Sequence, residues 1–245
     1  MKTERFFAAL FCATVLVGCL RAQEGASSQR QPAGQTSPAG SRPSLLNPAT
    51  LKAQAADTYE IKFTTTKGDF VVQVTRAWSP LGADRFYNLV KNGFYNGAAF
   101  FRIVPGFVVQ FGLSPDPAVS KAWRQAKIAD DSVSQSNHRG YLSFATAGPG
   151  TRTTQVFINL VDNAPLDSMG FSPFGQVIEG MDLIDKLNTE YGEQPDQGRI
   201  EAEGRSYLEK SFPRLDIIKS AVILTAAEAQ KPTAHPADAT KKPAP

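Results

Sequence analysis

Cysteine, histidine and long apolar runs are what this sequence has least of. Its two cysteines, Cys12 and Cys19, both fall at the N-terminal end, so a domain built from the rest of the chain has no disulfide to rely on. Its two histidines, His138 and His235, lie in turn-rich and tail-like surroundings, which offer neither a metal-binding pair nor the neighbours of a general base. No phosphate-binding motif is present. The formal net charge of +3 is small and forms no basic stripe, which argues against nucleic acid as a partner. Stability must then come from core burial, for which a span of roughly 170 residues is long enough.

The N-terminus has the layout of an export segment. Lys2 and Arg5 supply positive charge, and Phe6 to Val17 form an apolar run of signal length, too short for an ordinary membrane span. The run ends in Leu16-Val17-Gly18-Cys19, which resembles the bacterial lipobox. Cys19 is then the lipidation site, residues 1–19 a signal, and the expected location is the cell envelope, as a periplasm-facing lipoprotein at the outer membrane. The rival is a soluble secreted chain cut near Ala22, but Leu20 stands where that cleavage wants a small residue. From Leu20 to about Asp57 the sequence is rich in Gln, Ser, Ala, Pro and Gly and reads as a disordered tether with a reach of roughly 35 Å. Residues 226–245 read as a disordered Pro/Ala/Lys tail.

The densest patterning runs from Phe94 to Gly112, FYNGAAFFRIVPGFVVQFG. Ala98 to Val104 and Phe107 to Phe111 are rich in aromatic and β-branched residues and flank Pro105-Gly106, which predicts two strands around a bend. Alternation puts Phe100, Arg102 and Val104 on one face and Phe101 and Ile103 on the other. Arg102 and Gln110 are the long polar side chains set into this apolar strand. The pattern alone fits an arginine snorkelling across a barrel wall as well as one held for chemistry. Strict alternation also separates Phe107 from Gln110, so both can face one pocket only if the strand bends just after Pro105-Gly106.

Elsewhere, Tyr59, Ile61 and Phe63 alternate with Glu60, Lys62 and Thr64, and Lys67-Gly68-Asp69 turns the chain into Phe70 to Thr75: a hairpin with one buried face. Ser79-Pro80 marks a helix start, with Phe86, Leu89 and Val90 as its apolar stripe and Gly93 beyond it. A second helix is predicted over 181–191, with Met181, Ile184 and Leu187 on one face. A third, near 199–212, carries Ile200, Tyr207, Leu208 and Phe212 and stops before Pro213. Residues 192–198 read as a loop, and Ile217 to Leu224 as the last strand. The expected fold is mainly β, a closed antiparallel barrel over 58–225 with a helix over each end, closure hiding the strand edges.

Two longer blocks carry a family resemblance. FFRIVPGFVVQFG is similar to the signature of cyclophilin-type peptidyl-prolyl cis-trans isomerases, usually F-H-R-[IV]-[IV]-P-G-F-[MV]-x-Q-G-G. GYLSFATAGPGTRTTQVFI, from Gly140 to Ile158, resembles the family's second signature, and weaker similarity extends from about Thr58 to Leu224. The resemblance implies an eight-stranded barrel and acceleration of X-Pro rotation in exported proteins, without cofactor or metal. It assigns catalysis to Arg102 and Gln110. It assigns the proline cup to Phe107, Val108, Phe157 and Leu166, with Phe171 at the position of a pocket histidine. Ala145, Thr146 and Gln155 would line the groove for preceding residues, Thr146 pairing through its backbone. The implied partners are proline-containing extended or unfolded polypeptides and, through the lipid, a membrane; a monomer is expected. Departures from the pattern are Phe101 for the usual histidine, Val108 for methionine, Thr146 for asparagine, and Pro165 where many members carry tryptophan, which puts cyclosporin affinity in doubt. The other function class is a lipid-anchored holdase or chaperone that grips proline-containing segments without isomerising them. Intact Arg102 and Gln110 favour the enzyme.

Overall fold

A computed structural model describes residues 43–229. Its strands are β1 (Thr58–Thr65), β2 (Asp69–Thr75), β3 (Arg102–Val104), β4 (Val108–Phe111), β5 (Tyr141–Phe144), β6 (Val156–Asn159), β7 (Pro173–Glu179) and β8 (Ile218–Ile223). Its helices are α1 (Pro80–Lys91), α2 (Pro117–Trp123), α3 (Pro165–Ser168), α4 (Met181–Ile184), α5 (Gln197–Glu203), α6 (Arg205–Ser211) and α7 (Ala226–Ala229). The strands form one antiparallel sheet of eight in the order β3-β4-β6-β5-β7-β2-β1-β8.

The period-2 pattern of β1 dictates its burial: Tyr59, Ile61 and Phe63 face the core, and Thr65 N–H closes the hairpin on Gly68 O at 2.9 Å. Phe63 pairs with Phe70 in the register and their rings stack at 4.7 Å. Phe86 of α1, Phe100, Phe111, Phe144 and Phe174 complete an aromatic interior, each fully buried side chain contributing about 2–3 kcal/mol. α1 follows its stripe, with Phe86, Leu89 and Val90 buried.

Ser79 occupies the N-cap position of α1 but does not cap with its side chain. Its hydroxyl donates to Asp131 Oδ2 at 2.5 Å, and that distant carboxylate accepts from Leu81 N–H (3.0 Å) and Gly82 N–H (2.9 Å). The helix start is thus capped from across the fold. Arg152, whose side chain is 5% exposed, also donates to Asp131 at 3.0 Å. Burial alone would raise the Asp131 pKa; the Ser79 hydroxyl, the two amides and the Arg152 charge outweigh it and hold the carboxyl below its ordinary value.

Several expectations are corrected. The sheet is curled but open, because β3 and β8 share no ladder. Their edges meet only ahead of β3, through the isolated Ala99–Ile217 bridge, with Gly97 N–H on Ile218 O (2.7 Å) and Phe100 N–H on Asp216 O (3.0 Å). The helix expected over 181–191 is the single turn α4, after which Leu187 is buried without helical backbone. The helix near 199–212 is the pair α5 and α6, broken at Gly204, whose φ is +60° and where a Cβ would lie 2.3 Å from Pro115 O. Two helices, α2 and α3, stand where no helix was expected.

The tether expectation fails for residues 43–57. Leu45 and Ala55 are buried, and Trp123 Nε1–H donates to Leu45 O at 2.9 Å. Asn88 grips Ala53 by both backbone groups, at 3.1 and 2.7 Å, and Asp84 Oδ1 accepts from Ala55 N–H at 2.9 Å. Backbone bonds to side chains of α1 and α2 tie this strap down, and its composition does not announce those partners. In the expected tail, residues 226–229 form the turn α7. Cys19, the export segment, the tether up to residue 42 and the tail beyond 229 lie outside the described residues.

Candidate functional site

The site begins with a turn. Val104, Pro105, Gly106 and Phe107 close a β-turn through Phe107 N–H on Val104 O (3.0 Å), with Gly106 at φ +71°, the positive value that proline followed by glycine accommodates. The ladder then pairs Val104 with Val108 and Arg102 with Gln110, leaving Phe107 outside it. Phe107 is therefore free of the alternation that would have set it opposite Gln110. Its carbonyl accepts from Leu160 N–H (2.8 Å) and from Asn163 Nδ2–H (3.1 Å), which fix the turn against the end of β6.

Across β3, β4 and β6 the register sets Arg102 beside Gln110 and Gln110 beside Phe157. Ile103, Val109 and Phe111 face the barrel interior, while Val108 and Phe157 form a separate apolar cluster with Leu166, flanked by Phe107, Ala145 and Phe171. Phe100 corrects the sequence reading: it enters the core, not the face of Arg102, because the chain is not yet strand at Phe101 and alternation starts only at Arg102.

A cleft of about 430 Å³ lies over this row. Every substrate-contact candidate named from the sequence, Phe107, Val108, Ala145, Thr146, Gln155, Phe157, Leu166 and Phe171, lines it together with Arg102 and Gln110. One wall is apolar, with Phe157 and Phe171 edge to face at 5.5 Å. The opposite wall is a polar chain: Arg102 Nη1–H donates to Gln110 Oε1 at 3.3 Å, and Gln110 Nε2–H donates to Gln155 Oε1 at 2.8 Å. The Thr146 loop is tied by its own hydroxyls, Thr146 with Thr151 at 2.8 Å and Ala147 N–H on Thr151 Oγ1 at 2.9 Å. Such a cleft can seat a small apolar ring beside a guanidinium whose orientation is fixed.

Sequence reasoning missed the supports. Asn137, Ser143, Asn159 and Asn163 form a buried network behind the apolar wall that reaches the half-buried Asp167: Asn137 Nδ2–H donates to Asp167 Oδ1 (2.7 Å), Ser143 Oγ–H to Asn137 Oδ1 (2.8 Å), and Asn163 Nδ2–H to Asn159 Oδ1 (2.8 Å). It pins α3, and with it Leu166, to the turn at Phe107. Pro165 opens α3 at a position where its missing N–H costs nothing. Sequence reasoning also missed Gln197 on the cleft and Glu193, whose Oε1 accepts from Arg102 Nε–H at 2.6 Å and lies 2.6 Å from Nη2. Both sit in or beside the 192–198 loop, where no periodicity pointed to them. Among the described residues no group of three or more His, Cys, Asp or Glu side chains is arranged to hold a metal ion.

Residues 60–204 match the family described as cyclophilin type peptidyl-prolyl cis-trans isomerase/CLD. The chain belongs to this family. It is 33% identical over 148 residues to a peptidyl-prolyl cis-trans isomerase of Acinetobacter baylyi, covering 58% of this chain and 79% of that one. It is 30% identical over 173 residues to peptidyl-prolyl cis-trans isomerase B of Escherichia coli, covering 67% of this chain and 99% of that one. A cyclophilin type isomerase of Cryptosporidium parvum shares the fold with a TM-score of 0.53 at 22% identity, covering 69% of this chain and 98% of that one. As a cyclophilin, the chain is a peptidyl-prolyl isomerase. One departure from the cyclophilin signature has a structural cause: Phe101, at the usual histidine, is buried with Ala99 and Leu113 under Ile200, Tyr207 and Leu208 of α5 and α6. An imidazole there would bury polar nitrogens against α5 and α6.

Proposed function

We propose that this cyclophilin accelerates rotation about X-Pro bonds in extended or unfolded segments of exported proteins, from a position on the periplasmic side of the outer membrane to which Cys19 anchors it. The observation that carries the catalytic part is the row Arg102–Gln110–Gln155 standing over an apolar cup in one cleft. Rotation meets a barrier of roughly 18–20 kcal/mol set by amide resonance. No bond need break; a catalyst has only to favour the twisted amide, whose pyramidal nitrogen becomes an acceptor. Phe107, Val108, Phe157 and Leu166 hold the proline ring, Arg102 donates to the twisted amide more strongly than to the planar one, and Gln110 orients both the guanidinium and the substrate carbonyl. The exported setting rests on the Lys2/Arg5 charges, the apolar Phe6 to Val17 run and the Leu16 to Cys19 lipobox resemblance.

The direct test is exchange spectroscopy on an Xaa-Pro peptide with the whole chain, following cis and trans peaks at equilibrium. Exchange raised well above its uncatalysed rate, tens to hundreds of seconds per event, is the expected result. A chain that binds the peptide and leaves that rate unchanged would be a holdase instead.

A further inference from the structure

The loop between α4 and α5 brings a carboxylate onto the guanidinium assigned to catalysis, and it does so through fixed backbone. Gly192 O accepts from Ile103 N–H at 3.0 Å, joining the loop to the strand residue next to Arg102. Asn188 N–H donates to Asp216 Oδ2 at 2.7 Å, Glu190 Oε2 accepts from Arg214 Nε–H at 2.8 Å, and Asp196 N–H donates to Tyr207 Oη at 3.1 Å. Glu193 lies between these anchors. Its side chain is 61% exposed, so as a contribution to folding the pair counts for little. Its geometry is another matter. Arginine carries five N–H donors; Glu193 engages Nε and Nη2 from one side and Gln110 engages Nη1 from the other. The plane of the guanidinium is set by both, and two donors are left for a peptide.

We infer that Glu193 is a positioning residue for Arg102, contributed by the 192–198 loop, which holds the guanidinium in the one plane that suits the twisted amide. This rests on the isomerase reading given above. Orientation acts on the transition state and leaves peptide capture, the work of the apolar cup, almost untouched.

The experiment compares the whole chain with Glu193→Ala and Glu193→Gln by exchange spectroscopy across peptide concentration, and records the side-chain Nε–H signal of Arg102 in an ¹⁵N-arginine sample. Glu193→Ala should lower kcat about tenfold with KM and thermal midpoint unchanged, and should broaden the Nε–H signal by freeing it to solvent. Glu193→Gln keeps an acceptor oxygen on the same arm and should lose less. In an Arg102→Ala background, Glu193→Ala should add nothing. An unchanged or raised kcat in Glu193→Ala would overturn the inference, a rise marking the carboxylate as a competitor of the peptide. A wild-type chain without activity would overturn the isomerase reading and with it any catalytic role for Glu193, and a sharp Nε–H signal in that case would leave only the Glu193–Arg102 contact standing.

Discussion

Arg102 and Gln110 are partners in the β3–β4 ladder, and the same pairing places Arg102 Nη1 3.3 Å from Gln110 Oε1 above the cleft. Backbone register brings the two side chains together and Glu193 holds the other edge of the fork, so the guanidinium needs little reorganisation when charge shifts on a bound amide. Arg102→Ala should therefore lower kcat/KM by roughly 10²-fold, equivalent to about 2.7 kcal/mol, with little change in peptide affinity. Arg102→Lys should also be poor, since an ammonium lacks the planar fork. Exchange spectroscopy and a binding titration on the same peptide separate the two quantities; a variant that loses binding in proportion to rate would make Arg102 a ground-state contact only.

Asp131 links the start of α1 to buried Arg152, and its side chain is 7% exposed. Asp131→Asn should cost about 3 kcal/mol at pH 7, by leaving the arginine short of a counter-charge; Asp130, 3.3 Å from Arg152 Nε, keeps the loss toward the low end of such cases. Because the Asp131 pKa is held below its ordinary value, its stabilisation is present above the unfolded value of about 3.9 and is lost as pH falls through the folded one. Urea unfolding at pH 7 and below pH about 3.9 should show the gap between wild type and variant closing in acid. A gap independent of pH would mean that the charge of Asp131 does not matter.

Cys19→Ser should release the chain from membranes. Detergent phase partitioning and metabolic labelling with a fatty-acid analogue read this directly. Partitioning that the substitution leaves unchanged would rule the lipid anchor out.

The parts of the fold legible in the sequence are those fixed by local chemistry. Pro105-Gly106 sets its own turn, Tyr59, Ile61 and Phe63 set the inner face of β1, and Ser79-Pro80 sets where α1 begins. The cleft-lining residues were legible only because two motifs supplied a pattern that periodicity lacks; taken singly, Phe157 or Leu166 reads as core. What was not legible acts across the chain: Asp131 capping α1, Glu193 meeting Arg102, and Asn88 holding Ala53. Each is a polar residue in a loop or on a helix flank, and no spacing rule says which distant atom it will meet. Phe100 was misassigned for a different reason, the assumption that alternation ran unbroken through residues that are not yet strand.

The strap over residues 43–57 changes how the domain would respond to pulling. Tension applied ahead of residue 43 reaches the Leu45–Trp123 bond and the Asn88 clasp on Ala53 before it reaches β1. A few hydrogen bonds loaded one after another yield at lower force than a strand sheared along its ladder, so the strap serves as a mechanical fuse that lengthens while the cleft stays intact. Optical-tweezer stretching should record a small early extension before the main rupture, and Asn88→Ala should shift it to lower force; a single rupture in both chains would remove the fuse.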